Sequence, residues 1–391
     1  MVTLVQRISV DVAIGGAGIV GLAHAVEALR RGLSVAVVER DHRPAGASVR
    51  NFGHACVTAQ QGDALDFALE ARERWLQLAD AAGFWGAPTG AVVVARADDE
   101  LAVLDEFAAG RPEQAERLNR EETLARVPIG ADGVRGGLWL PLDCRVDPRT
   151  AVPAIAGWLA GQGVEFLWGT TVLEASSGLL RTSRGEIEAG AIVVAHGHDL
   201  DRLFPDVAEP AGVRRCSLHM LRVAAPTAAR FAPAVLTGLS LLRYPGFAAC
   251  PSVPALRERI RREAPVLLDA DVNLMLTQLP DGDLVIGDTH LYEDTPLPFQ
   301  DERVDELLLE QMRLLLGVDR LDVRERWRGT YAHAPGREFL VASPAAGVRV
   351  VAVTTGIGMT TALGLAPRVL DDLFPAHSVP LPPGDPCAPT A

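Results

Sequence analysis

Residues 10–40 read VDVAIGGAGIVGLAHAVEALRRGLSVAVVER, and this stretch decides the fold. Val10 to Ile14 form a short apolar run of the buried-strand type, followed at once by a glycine-rich turn. A helical pattern runs from about Ile19 to Arg31 and stops at Gly32, and Ser34 to Val38 read as a second apolar strand. The result is a strand–helix–strand unit built around Gly16-Ala17-Gly18-Ile19-Val20-Gly21. Gly16 permits the tight turn, Gly18 lets a pyrophosphate approach the backbone, and Gly21 lets the helix pack closely on the strand. The helix start offers unpaired N–H groups to phosphates. Glu39 ends the second strand, where a carboxylate accepts hydrogen bonds from ribose hydroxyls. Together these features predict a dinucleotide site, the plain alternative being a glycine turn without a ligand.

The rest of the chain argues for a cofactor lying extended across its domain. Strands that suit the first sheet recur near residues 165–195 and 348–353, and the last runs into a far glycine turn, Gly356-Ile357-Gly358. An uninterrupted alternation of strands and helices, usual for nicotinamide dehydrogenases, is missing. A long loop rich in small and polar residues follows Arg40, then an amphipathic helix over Asp63 to Ala82. Ala91–Ala95, Gly136–Leu140, Cys216–Val223, Val272–Gln278 and Asp283–Gly287 read as strands, the last two joined at Pro280-Asp281-Gly282. Asp147-Pro148 opens a helix containing Trp158, Asp301 to Leu316 are helical, and Arg324 to Tyr331 are extended. Trp75 and Trp158 are most simply core. The expected architecture is α/β: a Rossmann-like cofactor domain with a mainly parallel sheet, and a substrate domain with an antiparallel sheet. The boundaries we expect are 8–85, 145–214 and 335–375 for the first, 86–144 and 215–334 for the second, and a proline-rich tail over 376–391.

Composition excludes several classes. A net charge of −13 gives no basic excess to drive nucleic-acid binding, though it leaves room for an anionic small molecule held by a few arginines. The sequence has no lysine, so all 37 basic residues are arginine and no lysine Schiff base can form. Cys56, Cys144, Cys216, Cys250 and Cys387 are dispersed, which fits reduced thiols better than a disulfide framework. The opening lacks the layout of a signal peptide and no apolar run is long enough to span a bilayer, so a cytoplasmic enzyme is expected. A homo-oligomer remains open.

Four ordered motifs carry a family resemblance. Residues 10–40, GASVRNFGH over 46–54, AIVVAHGHD over 191–199 and GIGMTTALGLA over 356–366 resemble the D-amino-acid oxidase, glycine oxidase and sarcosine oxidase superfamily of FAD enzymes. The resemblance implies FAD held non-covalently by Ile14, the Gly16–Gly21 turn, Glu39 and Arg40. It adds the loop Ala47, Ser48, Arg50, Asn51, Phe52 and Gly53, then Val172, Ala195 and Gly197, and finally Gly356, Ile357, Gly358, Met359 and Thr360. RNFGH, CSLHMLR, DGDLVIGDTHLY, WRGTY and the Leu203-Phe204-Pro205 sequence are similar to a branch associated with phosphonate catabolism. That branch implies oxidation of the C–N bond of an aminophosphonate related to 2-aminoethylphosphonate, its N-methyl and hydroxy derivatives included. The imine formed hydrolyses to an aldehyde with loss of ammonia or amine.

The sequence departs from the superfamily in three ways. The arginine that clamps a substrate carboxylate is replaced after WRG by Thr330 and Tyr331, with Arg328 earlier. Arg328 to Gly358 contain no cysteine to link flavin covalently, and no lysine is present to activate oxygen. Oxygen or another acceptor therefore takes the electrons.

For an anionic substrate, guanidinium forks are the natural partners, with Arg50 and Arg222 first and Arg243 and Arg328 in reserve. Tyr244 and His219 join the candidate substrate contacts, and His54, His290 and Tyr331 are the candidate catalytic residues. Each lone histidine has a plain alternative as a satisfied interior residue. His196 and His198 lack further ligands at metal spacing and read as structural, so no metal is expected. Asp288-Thr289-His290 is accompanied by no nucleophile motif and is no triad. A glycine, sarcosine or D-amino-acid oxidase or dehydrogenase, a flavin hydroxylase, and a non-catalytic FAD-binding module are the other readings.

Overall fold

In the computed structural model, residues 6–375 are described; the proline-rich tail and Cys387 lie outside them. The strand Gln6–Gly15 is the centre of the first sheet. It pairs in parallel with Val35–Val38 on one side and with Gly185–Val194 on the other, in registers that align Gly15 with Val38 and Val194. Glu165–Leu167 extends the parallel run beyond Val35–Val38, and Val348–Val353 joins the far half of Gly185–Val194. Antiparallel strands finish the edges: Val172–Ser176 with Leu179–Thr182, and Phe339–Ala342 against Val348–Val353.

Buried on both faces, residues 12–14, Val35–Val38 and residues 191–194 are continuous in Val, Ile and Ala instead of alternating. One face is covered by the helices Ile19–Arg30, Asp63–Ala82, Pro148–Gly161 and Gly358–Leu373. Ile14, Leu22, Val37, Trp75, Ile155, Leu363 and Leu370 form one cluster there. Trp75 is fully buried, and its indole N–H donates to the Met359 carbonyl (2.7 Å), so it does more than fill the core. Trp158 is only partly buried against the same cluster. The Asp147 carboxylate accepts from the Arg149 amide (3.0 Å) and caps the helix that Pro148 opens.

The second sheet is antiparallel except for one pair. Val323–His333 runs along the full length of Arg214–Val223, whose other edge is shared by Leu291–Glu293 and Leu284–Gly287. Met275–Gln278, Ala234–Leu236, Ala91–Ala95, Gly136–Leu140 and Glu116–Asn119 follow in that order. Ala234–Leu236 and Ala91–Ala95 are the parallel pair. A small three-stranded sheet links His54–Ala55, Cys144–Val146 and Gly86–Ala87. The fold is thus the expected α/β one, with a mainly parallel Rossmann-like sheet and a larger antiparallel sheet.

The ends of elements differ from the sequence reading in places. The strand expected over Val272–Gln278 begins at Met275, because Asn273 exchanges backbone hydrogen bonds with Asp288 beyond the regular ladder. The extended segment expected from Arg324 to Tyr331 reaches from Val323 to His333. The helix Val253–Glu263 was not anticipated: its sequence is dominated by charge, and only Val253, Leu256 and Ile260 face inward.

Candidate active site

A cavity of about 500 Å³ runs from the glycine turn of the first sheet to the strands of the second. At the first end, Gly16 has φ 106°, and a Cβ there would come within 2.5 Å of the Ala195 carbonyl. A Cβ on Gly21 would collide with the Gly16 carbonyl, so helix and turn meet only because both are glycine. Glu39 accepts from the amide of Ala17 (2.8 Å) through one oxygen and from that of Asp41 (3.0 Å) through the other. The Ser48 hydroxyl accepts from the Ile19 amide (2.8 Å), so the loop after the second strand is tied to the first turn of the helix. Arg40 is paired with Asp199 at 2.7 Å.

Of the residues expected to hold the cofactor, all line this cavity except Ile14, Ala17, Gly21 and Gly53. Those four lie behind the wall and shape it. Ile14 is buried under the turn, Ala17 anchors Glu39, Gly21 meets Gly16, and Gly53 (φ 68°) lies against the Val146 carbonyl, where no Cβ fits. His196 and His198, read as structural, lie on the cavity wall instead. Burial pulls His196 down to about 4, with nearby Arg40 adding to the shift, so the ring is neutral.

His54 is held at the junction of the small sheet. Its Nε2 lies 2.8 Å from Asp143, whose other oxygen accepts from the amide and hydroxyl of Thr58 (2.9 and 2.8 Å). Its Nδ1 is buried without a partner among the described residues. The thiol of Cys56 completes a His–Cys–Asp group whose ligand atoms lie within 4.8 Å of one another. In that group His54 and Asp143 already satisfy each other, and burial pushes the Cys56 thiol well above its ordinary range, so it stays protonated.

The far end of the cavity is built by the second sheet. Tyr331, Tyr244 and His290 line it. Arg243, a reserve candidate, sits among them with its accessible surface on the cavity. It donates to the Tyr331 hydroxyl (2.6 Å), the Tyr292 hydroxyl (3.4 Å) and the Thr355 carbonyl (3.4 Å), so its partners among the described residues are all neutral. Burial raises the Tyr331 and Tyr244 phenols far above their ordinary range and keeps them protonated. Asp288 and Asn273 share this end, and neither was anticipated. Burial pushes the Asp288 carboxyl up to about 7, against the downward pull of Arg243.

Three substrate candidates are not brought to the cavity. Arg222 is occupied by Asp283 and Asp281 (2.7 Å each) and by Glu325 (3.0 Å). His219 and Arg328 are partners in register and sit on the opposite face from their neighbours Leu218, Met220, Gly329 and Tyr331, which line the wall. His219 binds Asp305 at 2.7 Å, and Arg328 donates to the Leu297 carbonyl. Arg50 does line the cavity, but at its exposed rim. The signal that could have favoured Arg243 is local. It follows the apolar Leu239 and Leu241 and precedes Tyr244-Pro245, a turn next to a buried segment.

A glycine-turn nucleotide cradle on a parallel sheet, sharing one cavity with the underside of an antiparallel sheet, defines a flavin-dependent oxidoreductase. The chain belongs to the DAO family, FAD dependent oxidoreductase, which matches residues 11–371. Among curated proteins no match was found. Solved structures of similar fold include glycine oxidase from Geobacillus kaustophilus, at 21% identity, TM-score 0.73, covering 93% of this chain and 94% of that one. L-proline dehydrogenase from P. horikoshii is 17% identical over 94% of both chains, with TM-score 0.77. L-alpha-glycerophosphate oxidase from Mycoplasma pneumoniae with FAD bound is 16% identical over 93% and 94%, with TM-score 0.72.

The residues fit FAD. The turn leaves no room for a Cβ at Gly16 or Gly21 and brings the Gly18 backbone to the cavity, and the orphaned His54 Nδ1 and Thr355 Oγ1 are buried polar atoms in residues of the cavity wall. Bound FAD supplies a two-electron acceptor, and the chain supplies position and charge. No helix among the described residues is long and apolar enough to cross a membrane.

Proposed function

We propose that this enzyme oxidises the C–N bond of a small amine that also carries an anionic group, an aminophosphonate related to 2-aminoethylphosphonate or its N-methyl or hydroxy derivative. The carrying observation is Arg243: a guanidinium lining the cavity whose hydrogen-bond partners among the described residues are all neutral can receive an anion. Its planar fork suits phosphonate or carboxylate oxygens. The Tyr331 hydroxyl, held by Arg243 and protonated, adds a donor beside it. The substrate carbon gives up one hydrogen with two electrons to bound FAD, nitrogen loses a proton, and water then splits the C=N bond to an aldehyde and ammonia or amine. FAD is held without a covalent link, and oxygen or another acceptor reoxidises it. The presence of glycine oxidase and L-proline dehydrogenase among the structures of similar fold supports amine chemistry.

Anaerobic bleaching of the flavin by a panel of amines tests the reading. The panel holds 2-aminoethylphosphonate, its N-methyl and 1-hydroxy derivatives, glycine, sarcosine and D-alanine. Bleaching by the phosphonates in preference to the amino acids is the expected result. Bleaching by the amino acids alone discards the phosphonate, and bleaching by none discards amine oxidation.

A further inference from the structure

Beside Arg243, the cavity wall formed by Asn273, Asp288 and His290 carries hydrogen-bond acceptors, Asn273 Oδ1 among them, that meet no donor among the described residues. Nδ1 of His290 lies 2.9 Å from the carbonyl oxygen of Asp271. A carbonyl can only accept, so Nδ1 carries the hydrogen. Burial, with Arg243 nearby, holds the His290 imidazole well below its ordinary range, so the ring is neutral and Nε2 presents a lone pair. That lone pair faces Asp288 Oδ2 at 3.5 Å. Asp288 Oδ1 takes the Asn273 Nδ2 donor at 3.2 Å, while Asn273 Oδ1 is buried with no partner among the described residues. Asp288, His290 and Asn273 are all more than nine-tenths buried. Two buried acceptors that face each other are stabilised only by a hydrogen between them, carried by Asp288 or brought by a ligand.

We propose that Asp288 and His290 receive the amino nitrogen of the substrate, its ammonium donating to Asp288 Oδ2 and His290 Nε2 while its anionic group rests on Arg243. One proton then passes from nitrogen to Asp288 Oδ2: an N–H bond breaks, an O–H bond forms, and the electron pair stays on nitrogen. The amine is thereby left neutral, the form whose C–N bond can be oxidised. The assignment rests on the amine reading above and adds to it that the substrate is dipolar, with the two charges received at separate places on one wall.

The groups around Asp288 suit this role. Arg243 and Tyr244 face it from the turn after Leu242, Asp271 and Asn273 from the loop before Met275, and His290 from its own segment, with Tyr292 beside Arg243 and Asp271. Cys216 and Tyr331 face it or its partners from the two long paired strands. Arg243 is the cation of this set. Arg243 favours the carboxylate form of Asp288 and burial favours the acid, so the group both takes and yields a proton near pH 7.

The test uses the FAD-loaded enzyme and two probes whose anionic group keeps one charge at every working pH: ethanesulfonate and 2-aminoethanesulfonate. Binding is read as perturbation of the flavin absorbance under anaerobic conditions. In the native enzyme the amino probe is expected to bind tighter at pH 8 by on the order of tenfold, the scale of one charge-assisted hydrogen bond. The advantage shrinks at pH 6 as Asp288 is protonated. Asp288→Asn is expected to keep its flavin, to bind ethanesulfonate as before and to lose the advantage. Equal binding of the two probes by the native enzyme at both pH values overturns the assignment, and this needs no variant. Retention of the advantage in Asp288→Asn overturns it too. If neither probe perturbs the native flavin, Arg243 is not an anion anchor, and the proposed function falls together with this inference.

Discussion

Glu39 reaches back across 22 residues of chain to accept a hydrogen bond from the backbone amide of Ala17, at 2.8 Å. The carboxylate that reads in sequence as a ribose ligand therefore also fastens the glycine turn to the end of the second strand. Glu39→Ala is expected to weaken FAD binding by at least tenfold and to lower the melting temperature of the FAD-free protein. A substitution that affected ribose contact alone would leave the FAD-free melting temperature unchanged. Flavin titration and thermal unfolding with and without FAD separate the two effects.

Gly21 meets the Gly16 carbonyl where no Cβ can be placed. Gly21→Ala is expected to force the helix off the strand at a cost of about 2–4 kcal/mol. The purified variant should be colourless or largely so, and should unfold at lower denaturant concentration. Normal flavin content together with a native midpoint would contradict the packing described.

Arg243 and Arg222 separate the substrate role from a structural one. Arg243→Met is expected to lower the rate of flavin reduction at limiting substrate by roughly 10²–10³-fold, the effect of losing a charge-assisted anion contact, with flavin content preserved. Arg222→Met removes pairs with Asp281, Asp283 and Glu325, none of which lines the cavity. It should cost on the order of 1 kcal/mol of stability and leave reduction kinetics unchanged. The reverse pattern would return Arg222 to the site.

Asp288 also makes stability depend on pH in a definite direction. Its folded-state value, pushed up by burial to about 7, lies above the ordinary carboxylate range, so the folded protein retains a proton that the unfolded chain releases. That contribution is fully present below about pH 4 and is lost as pH rises to about 7. His290 works the other way, since its lowered value costs stability as pH falls below the ordinary histidine range. The comparison is therefore between proteins: the melting temperature of Asp288→Asn minus that of the native enzyme should become more positive between pH 5 and pH 8. A difference independent of pH would show that Asp288 is ionised throughout.

The nucleotide end of the cavity was legible in sequence because its requirements are local. Gly16, Gly18, Gly21 and Glu39 lie within one strand–helix–strand unit whose backbone geometry dictates residue type at fixed spacing. The substrate end was less legible, since it depends on pairing between distant strands. Whether His219 or Leu218 faces the cavity is a matter of register with Val323–His333, and a shift of one residue exchanges the two. Arg222 was misplaced because a strand arginine carries no mark of whether carboxylates await it, and Asp281, Asp283 and Glu325 arrive from other segments. Asp288 stood in sequence only as part of a rejected triad, because its raised proton affinity is a product of burial, which no neighbour in sequence reveals.

The cavity wall is assembled from residues 16–56, 170–203, 218–244, 273–290 and 329–360, five stretches spread over nearly the whole chain. No one of them encloses the flavin, and each is separated from its neighbours on the wall by many residues. Loop closures of that length are slow steps in folding. Flavin colour is consequently expected to be an end-point signal, developing only after the most distant pairings have formed. Because FAD binds the native state and not the unfolded chain, added FAD is expected to raise the apparent stability of the folded protein.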